Sequence, residues 1–435
     1  MIDKQEPKRK QQNDLELEKV ILVGVNLGDG TDFKLSMSEL VSLAKTCNME
    51  VVGQVEQNLS SINKGLYIGT GKVIEVYDLA RELDAACIVF NNPLSPTQLR
   101  NLQDELKMPV LDRTTLILEI FSSRAKSREA MLQVEVAKLQ YFLPRLVGLN
   151  EALSRQGGGS GSRSNKGSGE KKLELDRRKL ELRLDELKKE LITVSKERQI
   201  QRKKRAKSGI PRVALVGYTN AGKSTLMNAM VDTYMQDDTK KVMAKDMLFA
   251  TLDTTVRKIA PPNRTTMLLS DTVGFISQLP HNLVEAFQST LEEAKEADVL
   301  LQVVDYSDSD YKKQIAVTND TLKELGAGDI PMLYIYNKAD LSILKETLPL
   351  VEEDIIYISA KEKIGLEEIL IGIEKKLEKD YMECTMLIPF QRGDLVSLFN
   401  ETGTVRETEY LEDGIKLKLN CRLRDYKEHI QYVVE

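Results

Sequence analysis

The stretch Gly217-Tyr218-Thr219-Asn220-Ala221-Gly222-Lys223-Ser224 leaves this chain the least freedom of any segment. It follows the apolar run Arg212–Val216 directly, and the helical stretch Thr225–Met230 follows it. G-x-x-x-x-G-K-[ST] between a buried strand and a helix predicts a loop that curls around phosphate. The glycines let the backbone turn its N–H groups inward, and the positive end of the following helix adds to their pull on an anion. In that arrangement Lys223 would bridge two phosphates, and the Ser224 hydroxyl would ligate Mg²⁺. A second run, Gly69-Thr70-Gly71-Lys72, has a similar composition but lacks the long loop and the trailing hydroxyl residue. It reads as a tight strand-to-helix turn.

Three further motifs follow in order, each after an apolar strand. Asp271-Thr272-Val273-Gly274 ends the strand Met267–Ser270, where Asp271 can hold Mg²⁺ through water and the Gly274 N–H can meet a γ-phosphate. Asn337-Lys338-Ala339-Asp340 ends the strand Met332–Tyr336. A carboxylate there accepts two hydrogen bonds that guanine offers and adenine does not, so Asp340 selects GTP over ATP. Ser359-Ala360-Lys361 ends the strand Ile355–Ile358, where a backbone N–H can reach guanine O6. Each motif alone is weak, but the ordered set specifies GTP with Mg²⁺. Phe275 occupies the place where many GTPases carry the glutamine that orients water. Thr251, Thr254 and Thr255 compete for the remaining Mg²⁺ position. The run Phe249-Ala250-Thr251-Leu252-Asp253 resembles the Obg–HflX superfamily, whose Mg²⁺-binding threonine sits in a Phe-x-Thr-Leu context. The resemblance implies Thr251, with Phe249 to Asp253 wrapping the nucleotide. Lys223, Thr251 and Gly274 would then form the catalytic set.

The rest of the chain divides around this core. After a polar tail (1–18), residues 19–114 alternate strand candidates with helical patterns. The strands are Val20–Leu27, Val51–Glu56, Leu66–Gly69, Ala86–Phe90 and Val110–Leu111, and the helices Ser36–Cys47, Val73–Leu83 and Pro96–Lys107. That pattern predicts a small parallel α/β domain. From Thr115 the apolar residues Phe121, Ala125, Leu132, Val136, Leu139 and Leu143 fall at coiled-coil spacing, as do Leu173, Leu180, Leu184, Leu187, Leu191 and Val194. Residues 115–208 are therefore expected to form an antiparallel helical hairpin with a Gly/Ser-rich basic tip at 155–172. A P-loop domain (209–380) follows. Residues 381–435 read as a small α+β domain, with strands Thr385–Phe390, Gly403–Tyr410 and Gly414–Leu419 and a helix Asp394–Asn400.

Charge sharpens this picture. Ile120 to Ser208 carries 23 Lys and Arg against 11 Asp and Glu, +12 on a chain of net −5. A basic element on an acidic protein suits a polyanion, although a solvated helical face is the alternative. Cys47, Cys87, Cys384 and Cys421 form no C-x-x-C pair, so reduced thiols are expected. No apolar run spans a bilayer and the first residues lack a secretory core, which predicts a cytoplasmic protein. His281 and His429 are too few for a metal or triad cluster.

The resemblance narrows on motifs outside the phosphate loop. Residues 18–25 (EKVILVGV), 92–98 (NPLSPTQ), 112–121 (DRTTLILEIF), 128–135 (REAMLQVE), 143–146 (LPRL) and 388–396 (IPFQRGDLV) are similar to the HflX family of GTPases. The family implies GTP hydrolysis, binding to the large ribosomal subunit and its rRNA, and ribosome splitting; some members confer resistance to antibiotics acting on that subunit. A monomer is expected. The family's hairpin loop reads close to RQGGGxGxRGPGExQLExDRR, whereas this chain has RQGGGSGSRSNKGSGEKKLELDRR, with Asn165, Lys166, Lys171 and Lys172 in the altered stretch. That departure makes an antibiotic-resistance variant plausible beside the housekeeping role. The rival reading is a signalling GTPase that recruits a protein partner through its hairpin.

Overall fold

Strand β1 (Glu18–Asn26) is buried along nearly its whole length, as a strand with both faces covered must be. The computed structural model describes residues 17–28, 32–155, 166–206, 209–235, 248–249, 252, 254–262, 264–277, 288–379, 381–402 and 404–434. The chain forms two compact units, Met1–Ile117 and Leu118–Glu435. Residues 1–16 of the polar tail, 156–165 of the tip loop, Ala250, Thr251, Asp253 and His281 lie outside the described residues.

The first unit runs β1, α1 (Phe33–Thr46), β2 (Met49–Asn58), α2 (Thr70–Glu82), β3 (Cys87–Phe90), α3 (Pro96–Leu106) and β4 (Val110–Asp112). Its strands lie in the order β2-β1-β3-β4, all parallel. Helix starts follow their local chemistry. Asp32 accepts from the Leu35 N–H ahead of α1, and Ser95 and Gln98 cap α3 reciprocally. Two of the family-like motifs are explained by a buried network. The Arg113 guanidinium pairs with Glu39 and donates to the Ser36 carbonyl and to Asn91 Oδ1 at 3.1 and 3.0 Å. Asp112 accepts from Leu94 N and Thr115 N at 3.1 and 3.0 Å. One expected strand is absent. Leu66–Gly69 is a turn, because Asn63 Oδ1 takes the N–H groups of Gly65 and Leu66 at 2.8 and 3.0 Å and Tyr67 adopts φ +67°.

Helix α4 (Arg113–Arg124) leads out of this unit, and α5 (Arg128–Arg155) begins a new axis. Phe121 and Ala125 therefore do not continue the seam of Leu132 and Val136, as their spacing implied. Ser127 Oγ accepts from the Ala130 N–H at 3.2 Å and starts α5 afresh. Helix α6 (Lys166–Ala206) returns antiparallel to α5: Arg128 reaches Glu190 at 3.0 Å, whereas Arg183 reaches Glu135 at 3.2 Å. Leu132, Val136 and Leu187 are its buried seam, flanked by Leu139, Leu184, Leu191 and Val194. The expected tip at 155–172 is shortened, since Lys166–Lys172 already belong to α6. The helix-favouring run from Glu170 onward propagates back through Gly167 and Gly169, because extending a helix is far easier than nucleating one.

Strand β5 (Arg212–Val216) and α7 (Lys223–Tyr234) open a seven-stranded sheet that includes β6 (Thr255–Ile259), β7 (Met267–Asp271), β8 (Val299–Asp305), β9 (Met332–Asn337), β10 (Leu350–Glu352) and β11 (Ile355–Tyr357). Its order is β10-β11-β9-β8-β5-β7-β6, parallel except where β6 meets β7 and β10 meets β11. The last strands, β12 (Tyr381–Ile388), β13 (Thr404–Leu411) and β14 (Gly414–Arg422), form an antiparallel sheet in the order β12-β14-β13. Leu395 and Phe399 of the helix Gly393–Thr402 belong to the core of this module. Cys384 and Cys421 meet there at 3.6 Å as free thiols, and burial pushes the Cys421 thiol up to about 12. Among the described residues no helix is long and apolar enough to cross a membrane.

Leu187 is fully buried in an otherwise thin hairpin seam. Leu187→Ala should weaken the pairing of α5 and α6 by about 2–5 kcal/mol, the range for a buried Leu truncation. Hydrogen exchange should quicken in both helices and stay unchanged in β5, β7 and β9.

Candidate functional site at the strand ends

Open parallel sheets bind ligands beyond the carboxyl ends of their strands. The four sequence motifs meet that condition, because each leaves the sheet at the same end. Gly217 follows β5, Asp271 ends β7, Asn337 ends β9, and Ser359 lies just beyond β11. Between them β8, which sequence spacing did not single out, ends on Asp305.

The phosphate loop is held on two sides. On one side, Thr219 N donates to the Phe275 carbonyl at 2.8 Å and Phe275 N donates to the Gly217 carbonyl at 3.1 Å. These bonds zip the loop to the segment after β7. On the other side, the Asn337 side chain donates to the Ala221 carbonyl at 2.9 Å and accepts from Ala360 N at 3.0 Å. One amide thereby ties the phosphate loop to the Ser359–Lys361 loop. Gly222, at φ +96°, stands where any Cβ would strike the Asn337 amide nitrogen. The αL backbone and the crowding together demand glycine there.

Inside the loop, Lys223 is buried and its Nζ donates to the Gly217 and Tyr218 carbonyls at 2.9 and 2.7 Å. Burial pushes its pKa from 10.5 to about 8, and the nearby Asp271 carboxylate offsets part of that fall. Ser224 Oγ lies 2.7 Å from Asp271 Oδ2, and both residues are buried. Hard oxygens so placed suit Mg²⁺, with one hydroxyl as direct ligand and a carboxylate behind. A caged ammonium beside a buried hydroxyl–carboxylate pair fits a magnesium-bound triphosphate.

At the base end, Lys338 adopts φ +60° and its ammonium pairs with Asp305 Oδ2 at 2.6 Å. Asp305 is steadied in turn by Ser307, whose Oγ donates to Oδ1 at 2.6 Å. Asp305 is the residue that motif reading missed; its signal was an aspartate closing the apolar run Val299–Val304. Asp340 sits half-buried on the short turn Ala339–Leu341, where its carboxylate can face a purine edge. The Ala360 N–H already bonds Asn337, so a guanine oxygen there would share that donor.

In the segment expected to wrap the nucleotide, the Phe249 ring makes an edge-on contact with Phe121 of α4, with centroids 4.7 Å apart. Leu248 and Leu252 are buried beside it in sequence, so an apolar triplet anchors this stretch. Ala250, Thr251 and Asp253 are outside the described residues. Thr272 is buried and its Oγ1 donates to the Leu215 carbonyl at 2.6 Å, while Val273 is buried behind it.

Comparison with known proteins agrees with this geometry. Residues 34–122 match the family model described as GTP-binding GTPase N-terminal, and 124–205 match GTP-binding GTPase Middle Region. Residues 212–338 match the model described as 50S ribosome-binding GTPase. The GTPase HflX of Lacrimispora saccharolytica is 45% identical over 399 residues, covering 92% of each chain. That of Caldanaerobacter subterraneus subsp. tengcongensis is 44% identical over 412 residues, covering 94% of this chain and 92% of the relative. The Escherichia coli protein of the same name is 35% identical over 412 residues, 93% of each.

The Lys223 environment makes nucleotide affinity pH-dependent. A phosphate beside the ammonium raises its pKa, so binding takes up a proton above about pH 8. GDP affinity should be level below that pH and then fall, approaching about tenfold per pH unit. Fluorescent GDP titrations between about pH 7 and 9.5 read this directly, and Lys223→Arg, which cannot deprotonate, should flatten the profile. Without nucleotide the sign reverses. The folded pKa lies below the unfolded one, so stability gains as pH rises from about 8 to 10.5.

Proposed function

This chain belongs to the HflX family of GTPases, and on that premise we propose that it uses GTP with Mg²⁺ to control its attachment to the large ribosomal subunit and its rRNA. In this reading Gly217–Ser224 cradle the phosphates and Lys223 neutralises the β- and γ-phosphates. Ser224 and Thr251 ligate Mg²⁺, which supplies charge neutralisation when bound, and Asp271 orients one of its waters. Gly274 presents its N–H to the γ-phosphate. Asn337–Asp340 and Ser359–Lys361 read guanine, and Lys338, steadied by Asp305, covers the base plane.

The observation that carries the ribosome half of the proposal is the hairpin. It is a basic, antiparallel two-helix arm on an otherwise acidic chain, and it belongs to the same compact unit as the nucleotide site. Helix α5 alone has 28 residues, about 42 Å at the usual rise. An arm of that length can carry its glycine-rich segment far into an RNA-lined cleft, where glycines permit close backbone approach. Splitting of ribosomes, with antibiotic protection as a variant role, fits a GTP-gated arm of this kind. The protein would act in the cytoplasm as a monomer. In this reading the labour divides among a GTPase head at 209–380, an arm within 115–208, and flanking modules at 19–114 and 381–435.

Two outcomes follow. Asp340→Asn should weaken GTP binding by about 1.5–3 kcal/mol, roughly 10- to 150-fold, and relax selection against xanthine nucleotides. Equal GTP affinity in parent and variant would remove Asp340 from base recognition. Co-sedimentation with intact ribosomes should be stronger with a non-hydrolysable GTP analogue than with GDP. It should also fall steeply with salt, as phosphate neutralisation requires. Salt-insensitive capture of a protein partner, without ribosome binding, would point to the signalling reading instead.

A further inference from the structure

The antiparallel sheet β12-β14-β13 has two outer edges, and the chain treats them differently. Along β12 a later segment closes the edge: Val434 N donates to the Thr385 carbonyl at 2.8 Å, and Val433 forms an antiparallel bridge with Met386. Along β13 no strand among the described residues pairs beyond β14. Alternate residues of an antiparallel strand turn their N–H and C=O groups away from the partner, so β13 presents a row of outward backbone groups. The strand runs eight residues, Thr404–Leu411, and Arg406 to Leu411 are all exposed. Thr, Val and Tyr favour its extended form, and it has no proline or lysine to blunt the edge. Its one irregularity is a bulge between Val405 and Glu407.

Charge decides what can sit there. Glu407, Glu409, Glu412 and Asp413 line the edge and the turn after it, against Arg406, whose guanidinium pairs with Glu383 at 3.1 Å. A second copy of this edge would set carboxylate against carboxylate, and RNA would bring phosphates to them. Strand β14 shows what does fit. Its Lys418 and Lys416 stand opposite Glu407 and Glu409, and Leu417 between them stands opposite Thr408. Lys416 reaches Glu409 at 3.7 Å, and Leu417 is buried in the core of the module. Side chains alternate along a strand, so the two glutamates share one face of the sheet and Thr408 and Tyr410 the other. Tyr410 is 74% exposed, which leaves most of a large amphipathic ring uncovered.

We propose that the open edge of β13 is a docking site for an extended protein segment in which Lys or Arg alternates with apolar residues. Added as a fourth strand, the segment takes ladder hydrogen bonds from the outward backbone groups of β13. Its cations face Glu407 and Glu409 from the side that β14 leaves open, and its apolar residues cover Thr408 and Tyr410 on the other face. Main-chain bonding supplies affinity, and the alternation sets the register and the choice of partner. The docking site lies outside the nucleotide site and depends on neither the GTP nor the ribosome reading.

The probe is the peptide KIKLKLK, acetylated and amidated, with EIELELE as its control. The full-length protein is titrated with each, and hydrogen exchange of residues 404–411 is followed. The basic peptide should bind and protect 404–411 while β5, β7 and β9 exchange as before; the acidic peptide should do neither. Reversing both charges, Glu407→Lys with Glu409→Lys, should weaken the basic peptide about tenfold or more and admit the acidic one. Glu407→Gln with Glu409→Gln should give a smaller loss in the same direction, and it serves if the reversed variant does not fold. No binding of the basic peptide across its solubility range would overturn the proposal. So would binding that protects another segment, or that both variants leave unchanged. Protection of 404–411 by an oligouridylate instead of the peptide would overturn it in favour of RNA. Concentration-dependent protection without any ligand would overturn it in favour of a second copy of the chain.

Discussion

The nucleotide site depends on a single side-chain amide. An amide can donate and accept at once, and Asn337 uses both functions, giving a hydrogen bond to Ala221 and receiving one from Ala360. Those partners belong to loops 116 and 23 residues away in sequence. Buried at the end of β9, Asn337 fixes the distance between the Gly217–Ser224 loop and the Ser359–Lys361 loop. An Asp of the same size could accept from Ala360 but could not donate to Ala221, because only the amide carries opposite hydrogen-bonding groups on one plane. Gly222 is coupled to this choice, since the amide nitrogen occupies the space a side chain there would need.

The second constraint is the zip between the phosphate loop and the segment after β7. It fixes Thr219 and Gly274 side by side, and it commits Phe275 to the core through the Tyr218–Phe275 bridge. A residue so committed cannot double as a mobile glutamine-like arm. The loop thus gains rigidity at the expense of a water-positioning side chain, which leaves any such function to groups already inside the loop or brought by a partner. The Phe249–Phe121 contact adds a link of another kind. It places an apolar anchor two residues before the expected magnesium threonine, against a helix outside the GTPase sheet. Movement of that segment cannot leave α4 unaffected while the two rings stay in contact.

Much of this was legible in the sequence, for reasons that differ by element. The phosphate loop was readable because its glycines, lysine and serine act locally, within one strand–turn–helix unit. The Asn337–Asp340 turn was legible because it is a fixed tetrapeptide at the end of a strand. Asp305 was not, since its partner Lys338 lies 33 residues later and only the sheet order β9-β8 brings them together. Leu66–Gly69 misled because an apolar run carries no record of the Asn63 side chain that closes it into a turn. The break between α4 and α5 was hidden because Phe121 and Ala125 keep the hairpin spacing, although Phe121 is used elsewhere, against Phe249. Cys384 and Cys421 looked unrelated until β12 and β14 paired.

The hairpin shows how weak cohesion and high charge belong to one design. Among the described residues, Leu132, Val136 and Leu187 are its buried seam. Among the described residues its cross-helix ion pairs, Arg128–Glu190 and Arg183–Glu135, are largely exposed. Exposed pairs contribute ~0–1 kcal/mol each, so they set register more than they hold the helices together. Meanwhile the segment carries an excess of twelve positive charges over its acids, which repel one another along both helices. A core this thin cannot offset much repulsion, and the free arm is expected to be only marginally rigid. Any polyanion that neutralises the cations removes the repulsion and stabilises the paired form by mass action. The arm would then be firmest when it is bound, and GTP, by changing how strongly the head holds its partner, would act on that stiffness without touching the helices.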